Sequence, residues 1–300
     1  MKPSFRLLAV TAFLAAGFLS VPVLAAGTPA ATGTPAATGI PSIFVCGDST
    51  AKNNANGGLG WGTPIAAYFD PATVTVKNVG HAGKSSLTYY EGDWPAVLPQ
   101  IKSGDFVLLV FGINDGSTPN VADGEVSAQG KHNYTWYMSK MATDAGAKGA
   151  RVVLLTVTTR DIWTNPKVKY RDATPLAALP ADYNPAEDKI ERGTANGKYT
   201  QLTKDLGAKL RLPVFDLTNY CADLYEKMGR EKVMANYVDH NHTKPAGADI
   251  VASSIVSGLK ALKGSPFTAL LSDKGKAVET ADGKYVSDNL PEADAKSPAK

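Results

Sequence analysis

Short runs of apolar, mostly β-branched or aromatic residues recur along the chain at 42–46, 74–79, 106–111, 152–157 and 213–217. Most are continuous instead of alternating with polar residues, the pattern of strands covered on both faces. Stretches with helical spacing of apolar positions separate and follow them, at 61–69, 94–101, 131–145, 190–210, 219–228 and 245–263. Strand and helix in regular alternation predict an α/β fold, a doubly wound parallel sheet with helices on both faces. In such sheets ligands bind beyond the carboxyl ends of the strands. The loops that follow the apolar runs are therefore the places to look for chemistry.

Both flanks break this alternation. Lys2 and Arg6 precede an apolar run over 7–24, and Ala25 and Ala26 follow it, the order of a secretory signal peptide and its cleavage site. Residues 1–25 are expected to be removed, leaving a secreted or periplasmic protein with no stable membrane insertion. An uncleaved anchor is the alternative, since the run approaches the ~18 apolar residues of a spanning helix; Gly17, Ser20 and Pro22 weaken it. Gly27-Thr28-Pro29-Ala30-Ala31-Thr32 then recurs as Gly33-Thr34-Pro35-Ala36-Ala37-Thr38. With no large apolar side chain to offset the entropy of ordering, 26–41 reads as a linker. From 264 to 300 Lys, Asp, Glu, Ser and Pro dominate, with Phe267, Leu270, Leu271 and Tyr285 as scattered apolar positions. That tail is expected to be mobile. Residues 42–263 remain as one domain with one sizeable core.

A formal net charge of +3 is too small to imply a nucleic-acid partner. The two cysteines, Cys46 and Cys221, make neither a disulfide framework nor a thiolate metal site. Export would permit a bond between them, but Cys46 lies inside an apolar strand run and reads more simply as a small buried hydrophobe.

Three loops carry candidate chemistry. Gly47-Asp48-Ser49-Thr50 follows the first run; a serine where strand turns to helix can aim its own N–H at an oxyanion while its hydroxyl faces the crevice. Taken alone, the tripeptide is equally an ordinary turn with a helix cap. Gly112-Ile113-Asn114-Asp115 follows the third run, and Asn114 has a side-chain amide to donate to the same oxyanion. Gly83, in the turn after the second run, offers a backbone N–H; both are also common turn residues. The third loop is Asp239-His240-Asn241-His242-Thr243-Lys244-Pro245, which holds two of the four histidines. Asp239 and His242 together there suit a carboxylate that holds an imidazole and turns its other nitrogen to the serine. A capping aspartate beside solvated histidines is one alternative, and a metal site the other; no third ligand lies near for the latter.

Jointly, Gly47-Asp48-Ser49, Gly83, Gly112-x-Asn114-Asp115 and Asp239-x-x-His242 resemble the four sequence blocks of SGNH (GDSL) hydrolases. Gly60-Trp61-Gly62, Ala82-Gly83-Lys84-Ser85-Ser86 and His242-Thr243-x-Pro245-x-Gly247-Ala248 are further similar to the rhamnogalacturonan acetylesterase type. The resemblance covers 43–262. It implies a flavodoxin-like three-layer α/β/α sandwich on a five-stranded parallel sheet, and hydrolysis of acetyl esters on plant cell-wall polysaccharide or oligosaccharide. It puts the nucleophile at Ser49, the oxyanion donors at Ser49, Gly83 and Asn114, and acid and base at Asp239 and His242. No metal or organic cofactor is required, and the chain is expected to act as a monomer. Lys84 stands where the family usually has Arg, and Ile113 where His is common, departures that bear on substrate more than on reaction. Since the base must be neutral, the rate is expected to fall as pH drops through the ordinary imidazole range, near ~6.5.

The stretch 160–189, rich in Pro, Asp and Lys, is expected to form a long loop beside the crevice. Two rivals stay open. A lipase or thioesterase of the same superfamily would use the same groups with an apolar acyl channel. A noncatalytic carbohydrate-binding member would use Trp61, Trp94, Trp136 or Trp163 as stacking platforms.

Overall fold

In the computed structural model, the chain is described over residues 39–171 and 179–289. The expected signal peptide, all but the last residues of the expected linker, and 290–300 lie outside that range. The strands are β1 (Ser42–Gly47), β2 (Thr75–Asn78), β3 (Phe106–Val110), β4 (Arg151–Leu155), β5 (Ile162–Asn165), β6 (Val168–Arg171), β7 (Lys189–Ile190), β8 (Val214–Phe215) and β9 (Val286–Ser287). The helices are α1 (Ser86–Gly92), α2 (Trp94–Val97), α3 (Tyr134–Ala147), α4 (Lys198–Leu210), α5 (Leu217–Met228), α6 (Arg230–Met234), α7 (Pro245–Ala261) and α8 (Asp273–Lys276).

The main sheet runs β2-β1-β3-β4-β8-β9. Its first five strands pair in parallel, as expected, and β9 adds an antiparallel edge beside β8. Alternation along each buried strand sends successive side chains to opposite faces. Ile43, Val45, Leu108, Val110 and Leu155 point to one layer, where Val251, Ile255 and Leu259 of α7 cover them. Phe44, Cys46, Leu109 and Leu154 point to the other, under Tyr89 of α1 and Met138 and Met141 of α3. Each fully buried side chain of this size contributes ~1.5–3 kcal/mol by leaving water, which is why the central strands β1, β3 and β4 are apolar at nearly every position, whereas the edge strand β2 carries Lys77 and Asn78. α7 approaches the sheet at Gly258, where a Cβ would lie 2.3 Å from the Phe215 ring.

The cysteines fall on opposite faces of the sheet, both unbonded. Burial pushes each thiol up to about 12, so both are packing residues.

Three expectations need correction. Residues 160–189 are not simply a loop: β5, β6 and β7 form an antiparallel sheet in the order β6-β5-β7, anchored by Trp163, which is buried in the core. The helix expected from 190 starts at Lys198. Ile190 is instead paired to Trp163 in β5, and Ala195, Asn196 and Gly197 all take positive φ, which a helix cannot accommodate. Finally, 264–289 is not a free tail. Phe267 is 1 % exposed and packs 4.7 Å from the Phe106 ring, Leu271 bridges to Phe69, and β9 closes the sheet edge. The few apolar residues suffice because each fills a place on the domain. Among the described residues no helix is long and apolar enough to cross a membrane.

Candidate active site

Strand β1 ends at Gly47, and the chain turns at once. Asp48 O accepts from Ala51 N at 3.1 Å and Lys52 N at 3.0 Å, a helix-like turn with Ser49 at its head. Asp48 is 1 % exposed and accepts from Thr50 N and Thr50 Oγ1, each at 2.8 Å. The side chain that faces inward at this position is therefore the aspartate, and Ser49, at 7 % exposure, is presented at the crevice.

Across from it, the loop ahead of α7 is laced tightly. Val238 N donates to His242 O at 2.8 Å, Lys244 N to Asn236 O at 2.8 Å, and Leu59 N to Thr243 O at 2.8 Å. Tyr237 OH donates to Thr159 O at 2.8 Å, tying the loop to the segment after β4. The result brings His242 Nε2 to 2.9 Å from Ser49 Oγ. On the other side of the ring, His242 Nδ1 lies 2.8 Å from Asp239 Oδ2. A carboxylate can only accept, so Nδ1 carries the proton and Nε2 is left as an acceptor for the serine hydroxyl. Burial would raise the Asp239 carboxyl, but the His242 ring and the N–H groups of Asn241 and His242 outweigh it and hold it below the usual carboxylate range.

The turn after β2 and the loop after β3 complete the group. Gly83 has φ +77°, a conformation that favours glycine. His81 N donates to Gly47 O at 2.9 Å, which fixes this turn two residues from Ser49. The Asn114 amide donates one hydrogen to Lys84 O at 3.0 Å and keeps a second for another acceptor. Neither Ser49 N nor Gly83 N donates to another group among the described residues. All the residues singled out in the sequence, Ser49, Gly83, Asn114, Asp239 and His242, are thus drawn to one edge of the sheet.

Asp115 has a part in the site that its place in the Gly112-x-Asn114-Asp115 motif does not reveal. It is fully buried and accepts from Ser86 Oγ at 2.5 Å, Ser86 N at 3.0 Å and Thr118 Oγ1 at 2.9 Å. It pins the start of α1, and with it the Gly83 turn, to the Asn114 loop. Burial raises its carboxyl, opposed by those same bonds. Of the four tryptophans weighed as sugar platforms, Trp61, Trp94 and Trp163 are buried and offer no face to a ligand; Trp136 is half-buried and stacks on His132 at 4.0 Å. No group of three or more metal-ligating side chains occurs among the described residues.

Asp48 sets a stability cost beneath the serine. Burial raises its carboxyl from 3.8 to about 6, against hydrogen bonds from Thr50. A raised folded-state pKa means a contribution to stability that is full below the unfolded value and lost as pH rises through about 6. The rise corresponds to about 3 kcal/mol. Asp48→Asn keeps an acceptor for Thr50 and is expected to gain stability of that order at pH 8, and almost none near pH 4. Denaturant melts at the two pH values test this; an equal effect at both would contradict it.

A parallel α/β sheet that gathers a serine, a histidine and an aspartate at its carboxyl edge, with glycine and asparagine donors beside them, has the build of the SGNH class. The chain belongs to the GDSL-like Lipase/Acylhydrolase family, whose model matches residues 45–250. It is similar to the "Uncharacterized esterase YxiM" of Bacillus subtilis, 28 % identical over 73 % of this chain and 52 % of that protein. The chain thus spans about half the length of that relative. The crystal structure of the same B. subtilis protein superposes with a TM-score of 0.57 at 25 % identity, covering 74 % of this chain and 56 % of that one. Rhamnogalacturonan acetylesterase of Emericella nidulans is 24 % identical over 73 % of this chain and 84 % of its own length. Rhamnogalacturonan acetylesterase RhgT of B. subtilis is 26 % identical over 78 % and 96 %.

Proposed function

We propose that this chain is a serine esterase that removes acetyl groups from plant cell-wall polysaccharide, rhamnogalacturonan or a related pectin, through an acyl-enzyme on Ser49. The observation that carries this reading is the continuous relay from Asp239 through His242 to Ser49, with separations of 2.8 and 2.9 Å. His242 Nε2 takes the hydroxyl proton as Ser49 Oγ bonds to the ester carbonyl carbon. Asp239 stabilises the imidazolium that forms. The oxyanion is met by the Ser49 and Gly83 N–H groups and the free hydrogen of the Asn114 amide. Collapse of the tetrahedral intermediate expels the sugar alcohol, which takes the proton from His242. Water then attacks the acetyl-enzyme by the same steps and releases acetate.

Support for an acetylated carbohydrate comes from the two relatives named as rhamnogalacturonan acetylesterases. Under the same reading the enzyme works outside the cytoplasm, where such polymers are found, in keeping with the signal-like pattern of residues 1–25.

Acetate release from acetylated pectin and acetylated xylan by the full chain tests the substrate. Faster release from pectin is expected. Release from neither polymer, alongside turnover of long-chain esters, would overturn the polysaccharide reading in favour of a lipase. Asn114→Ala is expected to lower kcat ~10²–10³-fold with little change in KM, the loss typical of one oxyanion donor; a KM effect alone would place Asn114 in substrate binding instead.

A further inference from the structure

We propose that Asp93, which lies outside every motif described above, is a positioning residue for the oxyanion site: its carboxylate clamps both ends of the turn that carries Gly83. The inference rests on the esterase reading of that site.

The turn runs from His81 to Lys84 and is weakly closed by its own backbone, with Lys84 N 3.4 Å from His81 O, at the limit of a hydrogen bond. Gly83 at φ +77° adds no rigidity, since glycine has the widest backbone freedom. What holds the turn is external. His81 Nδ1 donates to Asp93 Oδ1 at 2.6 Å, and Lys84 Nζ lies 3.4 Å from Asp93 Oδ2. One carboxylate therefore holds His81 by a hydrogen bond and Lys84 by charge alone, since the buried Oδ2 makes no hydrogen bond among the described residues; the two contacts lie on either side of the Ala82-Gly83 pair.

Asp93 itself stands on a firm base at the junction of α1 and α2. Its N–H donates to Tyr89 O at 2.8 Å, and its carbonyl accepts from Ala96 N at 3.0 Å and Val97 N at 3.2 Å. The clamped ends connect directly to the other members of the site. His81 N is bonded to Gly47 O, two residues before Ser49, and Lys84 O accepts from the Asn114 amide. A shift of the turn would therefore move the Gly83 N–H relative to the serine and disturb the Asn114 donor as well.

Magnitudes separate positioning from global stability. The His81 side chain is 55 % exposed, so its bond to Asp93 contributes little to folding, and the buried Asp93 Oδ2 makes no hydrogen bond that could be lost. Misplacement of a catalytic group by ~1 Å, by contrast, can cost ~10²-fold in rate. Loss of the clamp should therefore appear in turnover and not in melting.

The test compares the full chain with Asp93→Ala and with the double variant His81→Ala/Lys84→Met, which releases the same clamp while leaving the helix junction intact. Both are expected to lower kcat for a small acetyl ester ~10–100-fold, to keep KM within about twofold, and to shift Tm by no more than ~2 °C. Both should also lower the backbone order parameter of the Gly83 amide, read by nitrogen relaxation in nuclear magnetic resonance. A kcat within twofold of wild type, or an unchanged Gly83 order parameter in both variants, overturns the clamp. Were the wild type to show no esterase turnover, the esterase reading would fail, and the Gly83 order parameter would still decide whether Asp93 orders the turn.

Discussion

Ser49→Ala is expected to lower kcat for acetyl-ester cleavage ~10⁴–10⁶-fold while the protein stays folded. The Ser49 hydroxyl is the group 2.9 Å from His242 Nε2, and alanine leaves the imidazole with no proton to take and the ester with no nucleophile on the enzyme. Residual rate would come from water attack assisted by the oxyanion donors. KM should change little, since the lost group acts in bond formation and not in ground-state binding. Steady-state acetate release, with circular dichroism to establish folding, reads the effect. A folded variant retaining more than about one per cent of the rate would contradict the assignment of Ser49, given the ~10⁴-fold floor expected.

Asp239→Asn is expected to cost ~10⁴-fold in kcat with small structural change. The asparagine oxygen can still accept from Asn241 N and His242 N, which now bond Asp239 Oδ1 at 2.7 and 2.9 Å. The loop should therefore keep its shape. The amide nitrogen, however, stands where Oδ2 accepted from His242 Nδ1, and as a donor it favours the opposite tautomer, with the proton on Nε2. The base is then blocked. Because hydrogen bonds hold the Asp239 carboxyl below the usual carboxylate range, the wild-type charge persists into mild acid. The comparison is read at pH 8, above the ordinary imidazole range, so that protonation of the base does not enter. A folded variant that keeps more than about one per cent of the wild-type kcat there would contradict this role for Asp239.

The parts of this molecule that were legible in the sequence are those where one physical requirement shapes consecutive residues. Strands covered on both faces must be apolar at every position, so β1 and β3 stand out as unbroken runs. The three site loops are equally local: Asp239 and His242 meet within one turn, and Ser49 stands two residues beyond the end of β1. What escaped notice depends on partners distant in the chain. β9 is two residues long and becomes a strand only through its pairing with Val214 and Phe215. β5 to β7 contain Thr, Asn and Lys between their apolar positions, and β7 lies across a long connection from β5. α1 opens with a Ser85–Thr88 capping box, in which threonine replaces the more usual Glu or Gln at the third helical position, and it spans two turns around the single large buried anchor Tyr89. Asp93 carried no signal at all: an aspartate before Trp94 reads as a helix start, and its reach back to His81 and Lys84 exists only once α1 has folded.

The central claim is that Ser49 is a nucleophile activated by His242. The direct measurement is peptide mass mapping after treatment of the full chain with a fluorophosphonate, in which attack by a serine oxygen on phosphorus expels fluoride. One phosphonyl group on the peptide containing Ser49, slowed by acetylated substrate and absent from a folded His242→Ala variant, is the result this account predicts. Turnover of acetyl esters by a protein whose Ser49 remains unlabelled, or labelling of Ser49 undiminished without His242, would contradict it.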